Sequence, residues 1–217
     1  MKRAVKYLLV VCLMIFLAGC GKDVSSDNGT EVNDTPHLTT EAEQGTFYRK
    51  GASNPVVVME EYSDLFCPHC SDAQPILDQL IEDFKDKLAL EFHHYSFMGS
   101  IYVHVANECA GEQGKFWEFH QAAFEAQNDL RLATNVNKII ELGTTIGLDK
   151  EKFSECVDNG KYLNKVEAQR LFAKEQYQIT GTPSFIIDGK LIELTQGESF
   201  YEGLKKRVEE AINKPLA

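Results

Sequence analysis

The sequence has only one pair of closely spaced cysteines, Cys67 and Cys70, and no second C-x-x-C or H-x3-H pair. Because a structural zinc site needs two such pairs, this absence argues against a zinc-binding module. Basic residues are also scarce, with 22 lysines and arginines against 33 aspartates and glutamates. The resulting net charge of −11 argues against a nucleic-acid partner.

Long hydrophobic runs are lacking as well. The apolar run at residues 7–17 is too short to span a bilayer, and basic residues precede it. The run ends in Leu17-Ala18-Gly19-Cys20, which resembles a bacterial lipobox. We therefore predict a lipoprotein signal peptide at residues 1–19 and lipidation of Cys20. The alternative is an uncleaved anchor with an incidental cysteine. Both place the rest of the chain on the extracytoplasmic side of a bacterial membrane.

The remainder of the chain divides by composition. Residues 20–42 are rich in serine, asparagine, aspartate, threonine and glycine, and they predict a flexible tether. The 217-residue chain has no internal repeat and is 43% hydrophobic, which suits one domain, with or without an insertion.

The first part of the domain shows a β–α–β pattern. We predict a short strand at residues 43–49, a buried strand at 56–62, a helix at 71–85 and a strand at 88–95. Such a unit implies a parallel strand pair with a right-handed crossover. Pro75 predicts a kink in the helix.

The rest of the domain is helical before it returns to strands. Residues 100–176 carry apolar stripes at helical spacing throughout. A strand at 184–187, an Asp188-Gly189 turn and a return strand at 190–194 predict a hairpin, and a last helix begins at Ser199. Four glycines predict helix ends in this part of the chain: Gly111, Gly143, Gly147 and Gly160.

The Cys67-Pro68-His69-Cys70 motif lies where a strand passes into a helix. This position puts the first sulfur at a helix N-terminus, where unpaired N–H groups and the helix dipole favour a thiolate. The thiolate is the reactive form in disulfide exchange, and Cys70 is placed to attack the resulting mixed disulfide. The motif therefore predicts redox chemistry.

If the chain is exported, each of the other four cysteines can be assigned a role. Cys12 leaves with the signal peptide and Cys20 carries the lipid, so Cys109 and Cys156 remain. Both lie on the apolar faces of predicted helices, in a compartment where disulfides persist. We predict a structural disulfide between them, the alternative being two buried thiols that pack as small hydrophobes.

The element order, with C-x-x-C opening the first helix, resembles an α/β thioredoxin-like fold with an inserted helical domain. Four motifs resemble those of the DsbA family of thiol:disulfide oxidoreductases, in its lipoprotein form: Glu61-Tyr-Ser-Asp-Leu-Phe-Cys-Pro-His-Cys70, Phe97-Met-Gly99, Cys109-Ala-Gly-Glu-Gln-Gly-Lys-Phe-Trp-Glu-Phe-His120 and Gly181-Thr-Pro-Ser-Phe-Ile-Ile-Asp-Gly189. The resemblance implies a thioredoxin-like part at residues 43–99, a helical insertion at 100–177 and a second thioredoxin-like part at 178–217.

The resemblance also implies roles for individual residues. Cys67 would be the exposed nucleophile and Cys70 the buried resolving thiol. Thr182 and Pro183 would form a cis-proline loop that pairs with an extended substrate. Glu61 would be a buried acid that shuttles the proton of Cys70, the alternative being an ordinary solvent-facing carboxylate.

Two further pairs of residues need an interpretation, one inside the Cys67–Cys70 motif and one on a later strand. Pro68 and His69 would tune the pair, because an imidazole near a helix N-terminus favours the thiolate and makes the disulfide more oxidising. The alternative for His69 is an indifferent turn residue. His93 and His94 are neighbours on a strand and point to opposite faces, so we interpret them as structural and not as metal ligands.

Together these features predict an anchored oxidase that introduces disulfides into reduced exported polypeptides. A membrane quinone reductase of the DsbB type would reoxidise it. We expect a monomer that needs no cofactor, metal or nucleic acid. The alternatives are a reductase or isomerase of the same fold, or a non-catalytic peptide-binding lipoprotein. Residues 21–43 are too polar to supply the dimerisation segment that isomerases use.

Overall fold

The computed structural model describes residues 45–97, 99–132 and 136–214. The predicted signal peptide, the tether at residues 20–42 and the lipidation site Cys20 lie outside the described residues, as does Met98 of the Phe97–Gly99 motif. No helix within the described ranges has both the length and the apolar character needed to cross a bilayer.

One mixed sheet forms the centre of the domain. Its strand order is β1-β3-β2-β4-β5, and β2 and β3 are parallel, as the β–α–β pattern predicts. The other neighbouring pairs are antiparallel. The strands are β1 (Tyr48–Gly51), β2 (Val57–Ser63), β3 (Leu88–His94), β4 (Ser184–Ile187) and β5 (Lys190–Leu191).

Eight helices in the described residues surround this sheet. Helix α1 (Pro68–Asp83) makes the crossover between β2 and β3, and α8 (Phe200–Ile212) closes the chain. Six helices form the insertion between β3 and β4: α2 (Ile101–Glu112), α3 (Phe116–Glu125), α4 (Gln127–Leu132), α5 (Asn137–Thr145), α6 (Lys150–Asp158) and α7 (Leu163–Gln176).

Side chains of β2 alternate between two environments. Val57 and Met59 belong to a core with α1 and α8, whereas Tyr62 packs in a separate cluster with Ala173 of α7. Since successive strand residues point to opposite faces, Glu61 and Ser63 share the face of Met59 and point towards α1. This alternation brings a carboxyl and a hydroxyl group to the buried side of the first helix.

A disulfide joins two helices of the insertion. Cys109 of α2 and Cys156 of α6 are bonded, with 5.9 Å between their Cα atoms. The two cysteines are 47 positions apart in the sequence. In the chain-entropy description, closing a loop of that length stabilises the folded state by about 4 kcal/mol.

Several predicted boundaries are wrong in detail. The first strand begins at Tyr48 and not at residue 43, and the last strand stops at Leu191, because it pairs only with Ile186 and Ile187. Helix α1 begins three residues earlier than predicted, at Pro68.

Two glycines expected at helix ends lie inside helices instead. Gly111 belongs to α2, where an added Cβ would collide with the ring of Tyr48. Gly143 belongs to α5, where it would collide with Phe153. At both positions the glycine permits an aromatic ring to approach the helix backbone, which is why a helix-end interpretation fails. Gly147 and Gly160 do follow helices, with positive φ.

Candidate active site

Cys67 caps the N-terminus of α1, as the motif predicts. Its backbone is extended, with φ −82° and ψ 119°, and its N–H donates to the carbonyl oxygen of Asp64 at 2.9 Å. Pro68 occupies the start of the helix, where its missing N–H costs no helical hydrogen bond. The first sulfur of the motif therefore lies at the positive end of the helix dipole.

The expectation that Cys67 is exposed is wrong: the residue is only 4% exposed. Its thiol donates to the carbonyl oxygen of Thr182 at 3.4 Å, and the Thr182–Pro183 peptide bond is cis. The loop before β4 thus covers the sulfur, while Pro68 and His69 face solvent. A reacting group must reach Cys67 along the edge of this loop.

Cys70 lies behind Cys67 and is completely buried. Both cysteines are free thiols. Burial raises the pKa of the Cys70 thiol far above its ordinary value, and the nearby Glu61 charge adds to this. The hydroxyl groups of Ser63 and Thr182 act in the opposite direction. Cys70 therefore keeps its proton unless a neighbouring group accepts it.

Glu61 is fully buried, so the alternative of a solvent-facing carboxylate does not apply. Burial raises its pKa to about 7, although Lys50, the neighbouring Ser63 hydroxyl and the hydrogen bond from Gln74 lower it in part. The Gln74 side chain donates to Glu61 Oε1 at 3.1 Å and is close to the Cys70 carbonyl oxygen at 3.2 Å. Glu61 Oε2 has no hydrogen-bond partner among the described residues. One carboxyl oxygen is thus held while the other remains available for a proton.

The turn between β2 and α1 is organised by Asp64, which the sequence prediction did not single out. Its buried carboxylate accepts hydrogen bonds from the N–H of Phe66 at 2.7 Å, the N–H of Phe97 at 2.7 Å and the hydroxyl of Ser100 at 2.8 Å. Burial would raise the pKa of Asp64, but the surrounding groups, these N–H donors among them, outweigh it and the pKa is lowered. The carboxylate therefore stays ionised and ties three chain segments together.

Gln127 of α4 is a second residue that the sequence prediction missed. Its buried side-chain amide donates to the carbonyl oxygens of Leu65 and Cys67, each at 3.0 Å. The helical insertion therefore grips the turn that carries the first cysteine. A lone glutamine at a helix start gives no sequence signal for such a contact.

The two neighbouring histidines of β3 do face opposite ways. His93 stacks on Phe47 and lies 2.8 Å from Glu91, whereas His94 contacts His104 and Glu108 in the insertion. Among residues 45–97, 99–132 and 136–214, no three histidine, cysteine or acidic side chains are arranged to hold a metal ion.

Two grooves flank α1. One of about 240 Å³ lies beside the cis-proline loop and is lined by His69, Asp72, Ala73, Ile76, Pro183 and Phe200. The other, of about 460 Å³, lies on the opposite side of the helix between α1, β1 and α3, and Gln74 and His120 are among its lining residues. The first groove borders the loop that covers Cys67, and the second reaches the glutamine that holds Glu61.

Comparisons with known proteins agree with this arrangement. A family model described as thioredoxin matches residues 43–210, so the chain belongs to the thioredoxin family. Within it, the fold is that of the DsbA-type thiol:disulfide oxidoreductases, with the predicted helical insertion. BdbD from Bacillus subtilis aligns with a TM-score of 0.67 and 22% identity, over 76% of this chain and 92% of that one. The thiol-disulfide exchange protein alpha-DsbA2 from Wolbachia pipientis aligns with a TM-score of 0.63 and 24% identity, over 78% and 90%.

A third relative is a much longer protein. The Na(+)/H(+) antiporter NhaA 3 from Salinispora tropica is 29% identical over 148 residues, which is 65% of this chain and 21% of the antiporter. The chain thus spans about a fifth of the length of this curated relative. The similarity is thus confined to a small part of a much longer protein.

Proposed function

We propose that the chain is an extracytoplasmic, membrane-anchored thiol:disulfide oxidoreductase that introduces disulfides into exported polypeptides. The observation that carries this proposal is the asymmetry of its two thiols. Cys67 caps a helix beside the cis-proline loop, whereas Cys70 is fully buried near a carboxyl group whose pKa is about 7. The thiol-disulfide exchange protein from Wolbachia pipientis shares the fold and supports the same chemistry.

The reaction begins with the Cys67–Cys70 disulfide form. A substrate thiolate attacks the sulfur of Cys67, which lies at the helix N-terminus and keeps 4% exposure, whereas Cys70 behind it has none. A bond forms between the substrate sulfur and Cys67, the Cys67–Cys70 bond breaks, and its electron pair leaves on Cys70.

Glu61 supplies the proton for this step. With a pKa of about 7, it is about half protonated near neutral pH, and the Cys70 thiolate is strongly basic because it is buried. Proton transfer from Glu61 to Cys70 removes a negative charge from the buried site and so favours formation of the mixed disulfide.

A second thiolate of the substrate completes the transfer. It attacks the substrate sulfur of the mixed disulfide, forms the substrate disulfide and releases Cys67 as a thiolate. The helix N-terminus stabilises that thiolate, and we assign Pro68 and the exposed His69 a tuning role there. The enzyme has gained two electrons, and a DsbB-type membrane quinone reductase would remove them.

The substrate is an extended segment of a reduced exported polypeptide. Thr182 and Pro183 offer main-chain contacts next to Cys67, and the adjoining groove contains Ile76, Ala73 and Phe200. An apolar substrate side chain near the reacting cysteine fits such a groove.

Lipidation at Cys20 would hold the enzyme, as a monomer, at the membrane. A single acyl chain binds a membrane only marginally, so stable anchoring implies more than one chain on this residue. Mass spectrometry of the mature protein should show an N-terminal Cys20 carrying lipid, and Cys20→Ala should leave the membrane fraction or remain unprocessed. A mature protein with unmodified Cys20 would remove the anchor from the proposal.

Refolding of reduced ribonuclease tests the catalytic assignment. The oxidised full-length protein should restore ribonuclease activity, Cys67→Ser should not, and Cys70→Ser should accumulate mixed disulfides with the substrate. If the wild-type protein refolds ribonuclease no faster than Cys67→Ser does, the catalytic assignment fails and the non-catalytic peptide-binding lipoprotein is the remaining alternative. A reduction potential near the ~−270 mV of thioredoxin, and far from ~−120 mV, would favour the reductase.

A further inference from the structure

The peptide groups of Leu65, in the turn before Cys67, are held from two sides by the helical insertion. Gln127 binds its carbonyl oxygen, and His104 of α2 faces its N–H, with 3.3 Å between Leu65 N and His104 Nε2. Both Leu65 and His104 are completely buried. Water therefore cannot replace the imidazole as acceptor for this N–H.

His104 is the first member of a buried chain of polar side chains. Its Nδ1 lies 2.7 Å from Nδ1 of His94, and Nε2 of His94 lies 2.7 Å from Glu108 Oε1. Lys165 of α7 donates to the other oxygen of Glu108 at 2.7 Å. The chain thus runs from the active-site turn across β3 and α2 to α7.

The contacts, taken with a charged Glu108 and neutral imidazoles, indicate which nitrogen carries each hydrogen. An ionised Glu108 can only accept, so His94 donates through Nε2. Because His94 is neutral, its Nδ1 must accept, and His104 must donate through its own Nδ1. In a neutral His104 the remaining nitrogen, Nε2, has no hydrogen and can accept from Leu65.

The electrostatics agree with a neutral His94 and an ionised Glu108. Burial lowers the pKa of His94 to about 4, which keeps the imidazole neutral at neutral pH. Burial alone would raise the pKa of Glu108, but His94 and Lys165 lower it overall and keep the carboxylate charged. Asp64 Oδ1 also lies near His104, but its distance of 3.7 Å from Nε2 is too long for a hydrogen bond.

We propose that His104 is a positioning residue for Cys67, and that His94, Glu108 and Lys165 set the tautomer in which it can hold Leu65. The proposal rests on the proposed function, since it concerns the same thiol. The turn has little freedom to move, because the N–H of Cys67 donates to the carbonyl oxygen of Asp64 and the carbonyl oxygen of Cys67 accepts from Gln127. Loss of the acceptor at Leu65 leaves a buried N–H unpaired, and the turn must move to satisfy it.

Two substitutions separate the two contacts of the imidazole. The amide of His104→Gln reaches the position of Nε2 and can still accept from Leu65. The shorter amide of His104→Asn matches Nδ1, so it can donate to His94 but leaves Leu65 without an acceptor. His120→Gln is the matched control, because it removes another buried imidazole from the same aromatic core without touching the turn.

The measurement is the rate at which reduced Cys67 reacts with iodoacetamide in the full-length protein, alongside the melting temperature. We expect about a three- to tenfold slower reaction for His104→Asn, the scale of one buried hydrogen bond, and less than a twofold change for His104→Gln and His120→Gln. Equal rates for the two His104 variants, whether both normal or both slow, would show that packing alone matters and would overturn the proposal.

Nitrogen-15 chemical shifts of the histidine rings test the tautomers in the unaltered protein. We expect the hydrogen on Nδ1 of His104 and on Nε2 of His94. A hydrogen on Nε2 of His104 would overturn the proposal even if no variant folded. Neither measurement requires oxidase activity, so a protein that fails to oxidise ribonuclease yet shows these tautomers would contradict only the proposed function.

Discussion

The buried carboxyl of Glu61 should make the protein less stable as the pH rises. In the folded chain its pKa is about 7, against an ordinary value of 4.5. Between these two pH values the folded state holds a proton that the unfolded chain has released, so raising the pH favours unfolding. The stabilisation is fully present below pH 4.5 and is lost as the pH passes 7, with a total of about 3 kcal/mol at roughly 1.4 kcal/mol per pKa unit.

Glu61→Gln removes this titration while it retains an oxygen that can accept from Gln74. Urea unfolding of the reduced wild type and variant between pH 4.5 and 8.5 measures the difference. We expect the variant to gain about 3 kcal/mol relative to the wild type across this range. Repeating the series in a Cys70→Ser background removes the contribution of the neighbouring thiol.

An exposed carboxylate on the adjacent helix supplies the control. Glu82 pairs with Lys85 on the surface of α1, so Glu82→Gln should leave the pH profile nearly parallel to that of the wild type. A difference between Glu61→Gln and wild type that stays constant from pH 4.5 to 8.5 would refute the reasoning, because it would mean that the carboxyl titrates alike in the folded and unfolded chains.

Three further variants test other parts of the structure. Gln127→Leu should cost about 1–3 kcal/mol of unfolding free energy, because it leaves two buried carbonyl oxygens without this donor, and unchanged urea unfolding would contradict that contact. The Cys109→Ala/Cys156→Ala double variant should lose about 4 kcal/mol, and an unaltered melting temperature would show that the cross-link is dispensable. His69→Ala should make the disulfide about three- to tenfold less oxidising in equilibrium with glutathione, and an unchanged constant would count against a tuning role.

The parts of the fold that sequence could predict are those encoded by local patterns. Alternating and helical apolar spacing identifies β2, α1 and β3, and C-x-x-C at the junction of β2 and α1 marks the candidate reactive pair. The predicted fold class is confirmed by the comparisons. It could be predicted because the order of the elements, which local patterns reveal, is enough to distinguish it.

The contacts that hold the active-site turn could not be predicted in this way. Gln127 binds two carbonyl oxygens that lie 62 and 60 positions earlier in the chain, and His104 binds an N–H that lies 39 positions earlier. A backbone acceptor or donor leaves no pattern in side-chain identity. The burial of Cys67 likewise depends on Thr182, which tertiary folding brings over the sulfur. Asp64 gave a weak local signal, because aspartate often bonds to the backbone two residues on, as it does here with Phe66.

The two halves of the reactive centre are made far apart in time. Cys67 and the loop that covers it are separated by 115 positions, with the whole insertion between them. Synthesis delivers the N-terminal part first, so both thiols of the motif emerge before Thr182 and Pro183 are present. During that interval the loop of Thr182 and Pro183 cannot cover the first sulfur, and Cys109 of the same molecule is made before the loop is. A nascent chain halted inside the insertion would thus carry both thiols of the motif without the loop that covers the first of them.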